Sequence, residues 1–145
     1  FQILEKKART PHLLVNDGFG VNQAVYLLAK MCRPDIRTIL IEEPEIHLHP
    51  TALRQLVRTF CNFSREEKKQ LVVTTHSEQF MISLLAAVAD GLVGPEELKC
   101  YLVTKDKRVS VFSEQQVQKN GQIDGGLGSF IEAETADIKK FLGAA

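Results

Sequence analysis

The sequence predicts an α/β fold: parallel sheet strands with flanking helices, followed by a C-terminal β-hairpin. Three observations predict it. The runs Thr38-Ile39-Leu40-Ile41 and Leu71-Val72-Val73-Thr74-Thr75 are short, continuous and apolar, as strands covered on both faces are. Segments with helical spacing stand before, between and after them. Helix, strand, helix, strand, helix is the order of a parallel α/β sheet.

Each element follows from local pattern. Residues 1–4 and 12–15 are short apolar stretches that read as strands, or as a strand and a loop. Asn16-Asp17-Gly18-Phe19-Gly20 is a turn, since two closely spaced glycines permit unusual backbone angles. Across residues 22–31, Ala24, Val25, Leu27, Leu28 and Met31 recur at helical spacing, and Arg33-Pro34-Asp35 stops the helix. The strand at 38–41 comes next. Pro50 suits a first helical position, and Leu53, Leu56, Val57 and Phe60 give that helix its apolar stripe. Arg65-Glu66-Glu67-Lys68-Lys69 reads as a solvated segment leading into the strand at 71–75. A third helix carries Phe80, Leu84, Leu85 and Val88 inward and ends at Asp90-Gly91. Residues 99–103 and 108–112 flank Thr104-Lys105-Asp106-Lys107 as a hairpin, residues 122–128 are glycine-rich and loop-like, and Ile131, Ala136, Ile138, Phe141 and Leu142 predict a final helix.

Composition bounds the rest. The 145 residues, 1–145, read as one domain, and 44% hydrophobic with 25% charged residues supports a packed core. Lys plus Arg equals Asp plus Glu, so net charge gives no support for a nucleic-acid or membrane surface. No apolar run approaches the roughly 20 residues of a membrane span. Cys32, Cys61 and Cys100 are far apart and odd in number, which fits buried thiols in a reducing, cytoplasmic setting. The chain opens on Phe1 rather than Met, as a fragment or a processed product does.

In an open α/β sheet, chemistry gathers at the carboxyl ends of the strands. Glu42 and Glu43 leave the first buried strand, with Glu45 after Pro44, and His76 and Ser77 leave the second. Paired carboxylates there suit nucleotide hydrolysis. One holds Mg²⁺, largely through water, and the next acts as general base on the attacking water. A histidine on a neighbouring strand can touch the γ-phosphate or that water. An isolated Glu-Glu pair is most often a surface loop; the apolar strand before it and the histidine beyond the second strand weigh against that here.

These residues carry a family resemblance. Thr38-Ile39-Leu40-Ile41-Glu42-Glu43-Pro44 resembles the Walker B strand of ABC-type ATPases. Glu45-Ile46-His47-Leu48-His49-Pro50 resembles the D-loop of the AAA-named ABC-like ATPases akin to RecF, SMC and OLD-type proteins. Val72-Val73-Thr74-Thr75-His76-Ser77 is similar to their switch-histidine strand, and Asp17-Gly18-Phe19-Gly20-Val21-Asn22-Gln23 to their variant of the signature motif. The order and spacing of the four agree with the family over residues 12–90. The resemblance implies the C-terminal part of a P-loop NTPase (ABC ATPase-like) fold, with ATP and Mg²⁺. Position by position, it implies a magnesium-side role for Glu42, where the commonest pattern has Asp, and a general-base role for Glu43. His76 takes the switch position. His49 stands where many relatives have the D-loop Asp, and Gly18, Phe19 and Gly20 form the signature turn, whose backbone N–H groups meet the γ-phosphate of a nucleotide on a second head.

A phosphate-cradling loop needs G-x-x-x-x-G-K-[ST], and no Gly-Lys pair occurs in these 145 residues. The expected function is therefore ATP binding and hydrolysis as the C-terminal portion of a head, completed by a Walker A-containing N-terminal segment or separate chain. Two heads are expected to pair as a homodimer. Nucleic acid is a partner in the family, without support from the charge balance here. A non-catalytic nucleotide-responsive module and a metal-dependent hydrolase on Glu42, Glu43, His47, His49 and His76 are the alternatives. Alternate residues in a loop point apart, which disfavours a His47-x-His49 metal site. His12 reads as an ordinary strand or surface residue, Tyr26 as packing, and Lys105–Arg108 as a solvated hairpin tip.

Overall fold

A computed structural model describes residues 2–4, 11–13, 18–124 and 126. The chain forms two compact units, Phe1–Leu84 and Leu85–Ala145. In the first, β1 (Gln2–Leu4) pairs antiparallel with β2 (Pro11–Leu13). Helix α1 (Phe19–Met31) starts earlier than the apolar spacing predicts, directly after Gly18 at φ 86°. Its end is closed by an unexpected group. Lys69 is 4% exposed, and its Nζ donates to the carbonyl oxygens of Met31 and, at 2.8 Å, of Arg33. The solvated reading of 65–69 therefore fails at Lys69: free carbonyls at a helix C-terminus attract a cation strongly enough to bury its side chain.

Strand β3 (Thr38–Glu42) and β4 (Gln70–Thr74) pair in parallel, from Thr38↔Gln70 to Glu42↔Thr74. A further bond, Glu43 N–H to the Thr74 carbonyl at 2.8 Å, carries the ladder past the strand end. Ile39 and Ile41 are buried, but Leu40 is 77% exposed and its register partner Val72 45% exposed. The expectation of cover on both faces is thus corrected. Side chains alternate along a strand, and the described residues bury only one face. Helix α2 (Pro50–Glu66) lies against β4 and buries Leu53, Leu56, Val57 and Phe60, as the spacing predicts, together with Cys61. Helix α3 (Glu78–Ala89) follows and spans the division between the units; Phe80, Leu85 and Val88 are buried and Leu84 half-buried.

In the second unit, β5 (Cys100–Asp106) and β6 (Val109–Gln115) form an antiparallel hairpin in register Cys100↔Gln115 to Asp106↔Val109. The strands run further than the sequence predicts. The turn falls at Lys107-Arg108, with Lys107 at φ 53°, rather than across 104–107. An isolated bridge, Val117↔Ile123, closes the loop that follows. The expected final helix, the end of the glycine-rich stretch and Asn16-Asp17 lie outside the described residues. No helix among the described residues is long and apolar enough to cross a membrane.

Candidate active site

The loop after β3 adopts costly backbone angles. Glu43 has φ 44° and His47 φ 62°, both left-handed. Such angles cost non-glycine residues about 1–3 kcal/mol and concentrate at functional sites. Two overlapping turns stitch the loop, Ile46 N–H to the Glu43 carbonyl at 3.2 Å and Leu48 N–H to the Glu45 carbonyl at 3.0 Å. Buried Pro44 anchors it.

The parallel β3–β4 pairing brings the two strand ends together. Glu43 Oε1 lies 3.4 Å from His76 Nε2, and the His76 side chain is 91% exposed. Glu42, exposed, ends β3 opposite Thr74. Two carboxylates and an imidazole thus border the carboxyl ends of adjacent parallel strands. The two carboxylates supply oxygen atoms, the donor type Mg²⁺ prefers.

Gly18, Phe19, Gly20 and His49 gather instead around a second feature. With Val21, His47, Leu48 and Ala52 they line an open cavity of about 350 Å³. The N-termini of α1 and α2 both reach it. Among the described residues no side chain caps α1; Asn22 holds the Gly18 carbonyl through Nδ2 at 2.8 Å. A Cβ on Gly20 would stand 2.3 Å from the His47 carbonyl oxygen, so only glycine lets the helix start approach the loop this closely. The Phe19 and His47 rings meet at 5.6 Å between centroids. His49 is the N-cap of α2, its Nδ1 accepting from Thr51 N–H at 3.3 Å. The two histidines are therefore engaged in different contacts. Among the described residues, no group of three or more His, Cys, Asp or Glu side chains is arranged to hold a metal.

Two further sequence readings change. Tyr26 is not packing: it is 66% exposed, with Lys30 Nζ 5.3 Å from its ring centroid. Cys32 is exposed, whereas burial raises the thiol pKa of Cys61 and Cys100 above the ordinary value. One site residue escaped sequence reasoning. Glu45 Oε1 accepts from Thr75 Oγ1 at 2.5 Å and from His76 N–H at 3.2 Å. The only sequence signal for it was its place as a third carboxylate just after the strand.

Comparison with known proteins finds similarity over this region of the chain. Residues 11–81 match the family model of an AAA ATPase domain. The chain is 33% identical over 67 residues to the OLD nuclease of Thermus scotoductus; the match covers 43% of this chain and 13% of that protein's length. No solved structure matches at a significant level. The matched stretch contains the strained carboxylate loop, the histidine strand and the glycine turn, and the two matches support an AAA, ABC-like ATPase portion there.

Proposed function

We propose that the chain is the C-terminal portion of an ABC-type ATPase head, which hydrolyses ATP once a Walker A-containing segment or chain completes it. The observation that carries this reading is the approach of Glu43 to His76 across the ends of two parallel strands. In this reading Glu43 is the general base that takes a proton from the attacking water, and His76 contacts that water or the γ-phosphate. Glu42 holds Mg²⁺ through its water shell; bound Mg²⁺ neutralises charge on the phosphate oxygens. The cavity of Gly18, Phe19, Gly20 and His49 receives the γ-phosphate of a second head in a homodimer, where backbone N–H groups at a helix start favour an anion. The setting is the cytoplasm.

The exposed pair Leu40 and Val72 supports the need for completion, since parallel strands are ordinarily covered on both faces. The test is ATP turnover and solution mass of the purified chain, with and without a Walker A segment, in Mg²⁺. The expected result is no turnover alone, and turnover with a shift to larger mass when the segment is added. Clear turnover by the 145 residues alone, or a strictly monomeric chain indifferent to the segment, contradicts the proposal.

A further inference from the structure

Three of the molecule's features are left unused by the proposed reaction: buried Lys69, the exposed faces of the hairpin, and Glu45. Lys69 closes a helix end and acts structurally, and nothing described shows what covers the hairpin. Glu45 is different, because it joins the two loops that carry Glu43 and His76.

The His76 side chain is almost wholly exposed, so packing does little to hold it. Its backbone N–H donates to Glu45 Oε1 at 3.2 Å. The same oxygen accepts from Thr75 Oγ1 at 2.5 Å. Thr75 Oγ1 in turn accepts from Ser77 N–H at 3.0 Å, and Ser77 Oγ accepts from Phe80 N–H at 3.1 Å, capping the start of α3. One carboxylate oxygen on the first loop therefore accepts from two donors in the turn from β4 into α3, and local bonds carry that turn on into the helix. The other oxygen, Oε2, is buried without a hydrogen-bond partner among the described residues. An unpaired buried carboxylate oxygen costs stability and calls for an explanation.

We infer that Glu45 is a positioning residue, which fixes His76 against Glu43 by accepting its backbone N–H across the two loops. As a role in catalysis this rests on the proposed ATPase reading; as a contact it stands alone. Glu45 does not touch the reacting atoms. It sets where the histidine stands relative to the base, so that a shift of the first loop is transmitted to the switch histidine through a single oxygen.

The test has two arms. In the purified chain, Glu45→Ala should speed hydrogen exchange at the His76 amide about tenfold or more, as loss of a charge-assisted bond implies. Exchange within the β3–β4 ladder should stay unchanged. Glu45→Gln keeps an acceptor oxygen and should restore most of the protection. Thr75→Val removes the second donor without touching Glu45 and should loosen the same amide several-fold, which serves if Glu45→Ala does not fold. In the completed assembly with ATP, Glu45→Ala should lower kcat about tenfold with KM within about twofold, and Glu45→Gln should recover it. Unchanged His76 exchange in Glu45→Ala and Thr75→Val overturns the inference, as does failure of Glu45→Gln to rescue. If the unmodified assembly hydrolyses nothing, the ATPase reading fails, and the exchange arm alone decides the contact.

Discussion

Helices α1 and α2 lie in the same unit and serve the same cavity from their N-termini, yet they are anchored very differently. Helix α2 buries five side chains, Leu53, Leu56, Val57, Phe60 and Cys61. Helix α1 buries only Gly20 and Met31, and leaves Phe19, Val25 and Tyr26 exposed. The difference teaches where the first unit stores its stability. Helix α2 and the β3–β4 pair form a core that holds the carboxylates and the histidine. Helix α1 is tied at its ends, by Gly20 against the His47 carbonyl and by Lys69 on its last carbonyls, while its middle offers apolar surface.

The contrast can be broken with side-chain truncations. Phe60→Ala should cost about 3–5 kcal/mol by denaturant titration, because it empties a packed site beside Phe80. Tyr26→Ala on α1 should stay within about 0.5 kcal/mol. Equal losses would show that α1 is packed as firmly as α2. Gly20→Ala should cost about 1–3 kcal/mol, since the added Cβ forces the helix start away from the loop; a stability equal to the unmodified chain would mean that the contact yields freely. His49→Ala removes the N-cap of α2 and should cost about 1 kcal/mol.

The thiols sharpen the same comparison chemically. Cys32, just past α1, should alkylate within minutes in the folded protein, while Cys61 on α2 and Cys100 on β5 react only after unfolding, as mass spectrometry of the modified peptides would show. Burial raises both buried thiols above the ordinary value of 9.0. The folded state therefore favours the neutral form. Their contribution to stability is full below the ordinary thiol range and is lost as pH rises through the raised values. Denaturation midpoints that climb through that alkaline window would contradict the sign.

Much of this was legible in the sequence because it rests on local pattern. The α2 stripe, the β3 and β4 strands, and Glu43 and His76 at their ends follow from periodicity and from the position of polar residues after apolar runs. What was not legible depends on distant neighbours. Lys69 sits in a charged run like any solvated segment, and its burial goes with the carbonyls at and just past the end of α1, 38 and 36 residues away. Glu45 gains its place from Thr75 and His76, 30 and 31 residues on. Tyr26 has core-like spacing on α1, but spacing does not say whether anything lies opposite. Leu40 and Val72 failed the expectation of two-sided cover for the same reason.

The central claim is that Glu43 and His76 act together on bound ATP. It is tested most directly by single-turnover hydrolysis and nucleotide binding in the completed assembly, comparing the unmodified chain with Glu43→Gln and His76→Ala. Glu43→Gln should retain ATP binding and slow hydrolysis by roughly two or more orders of magnitude, as loss of a general base implies, and His76→Ala should also impair turnover. Unchanged hydrolysis in both variants would contradict the assignment and leave a nucleotide-responsive module that does not use these residues for chemistry.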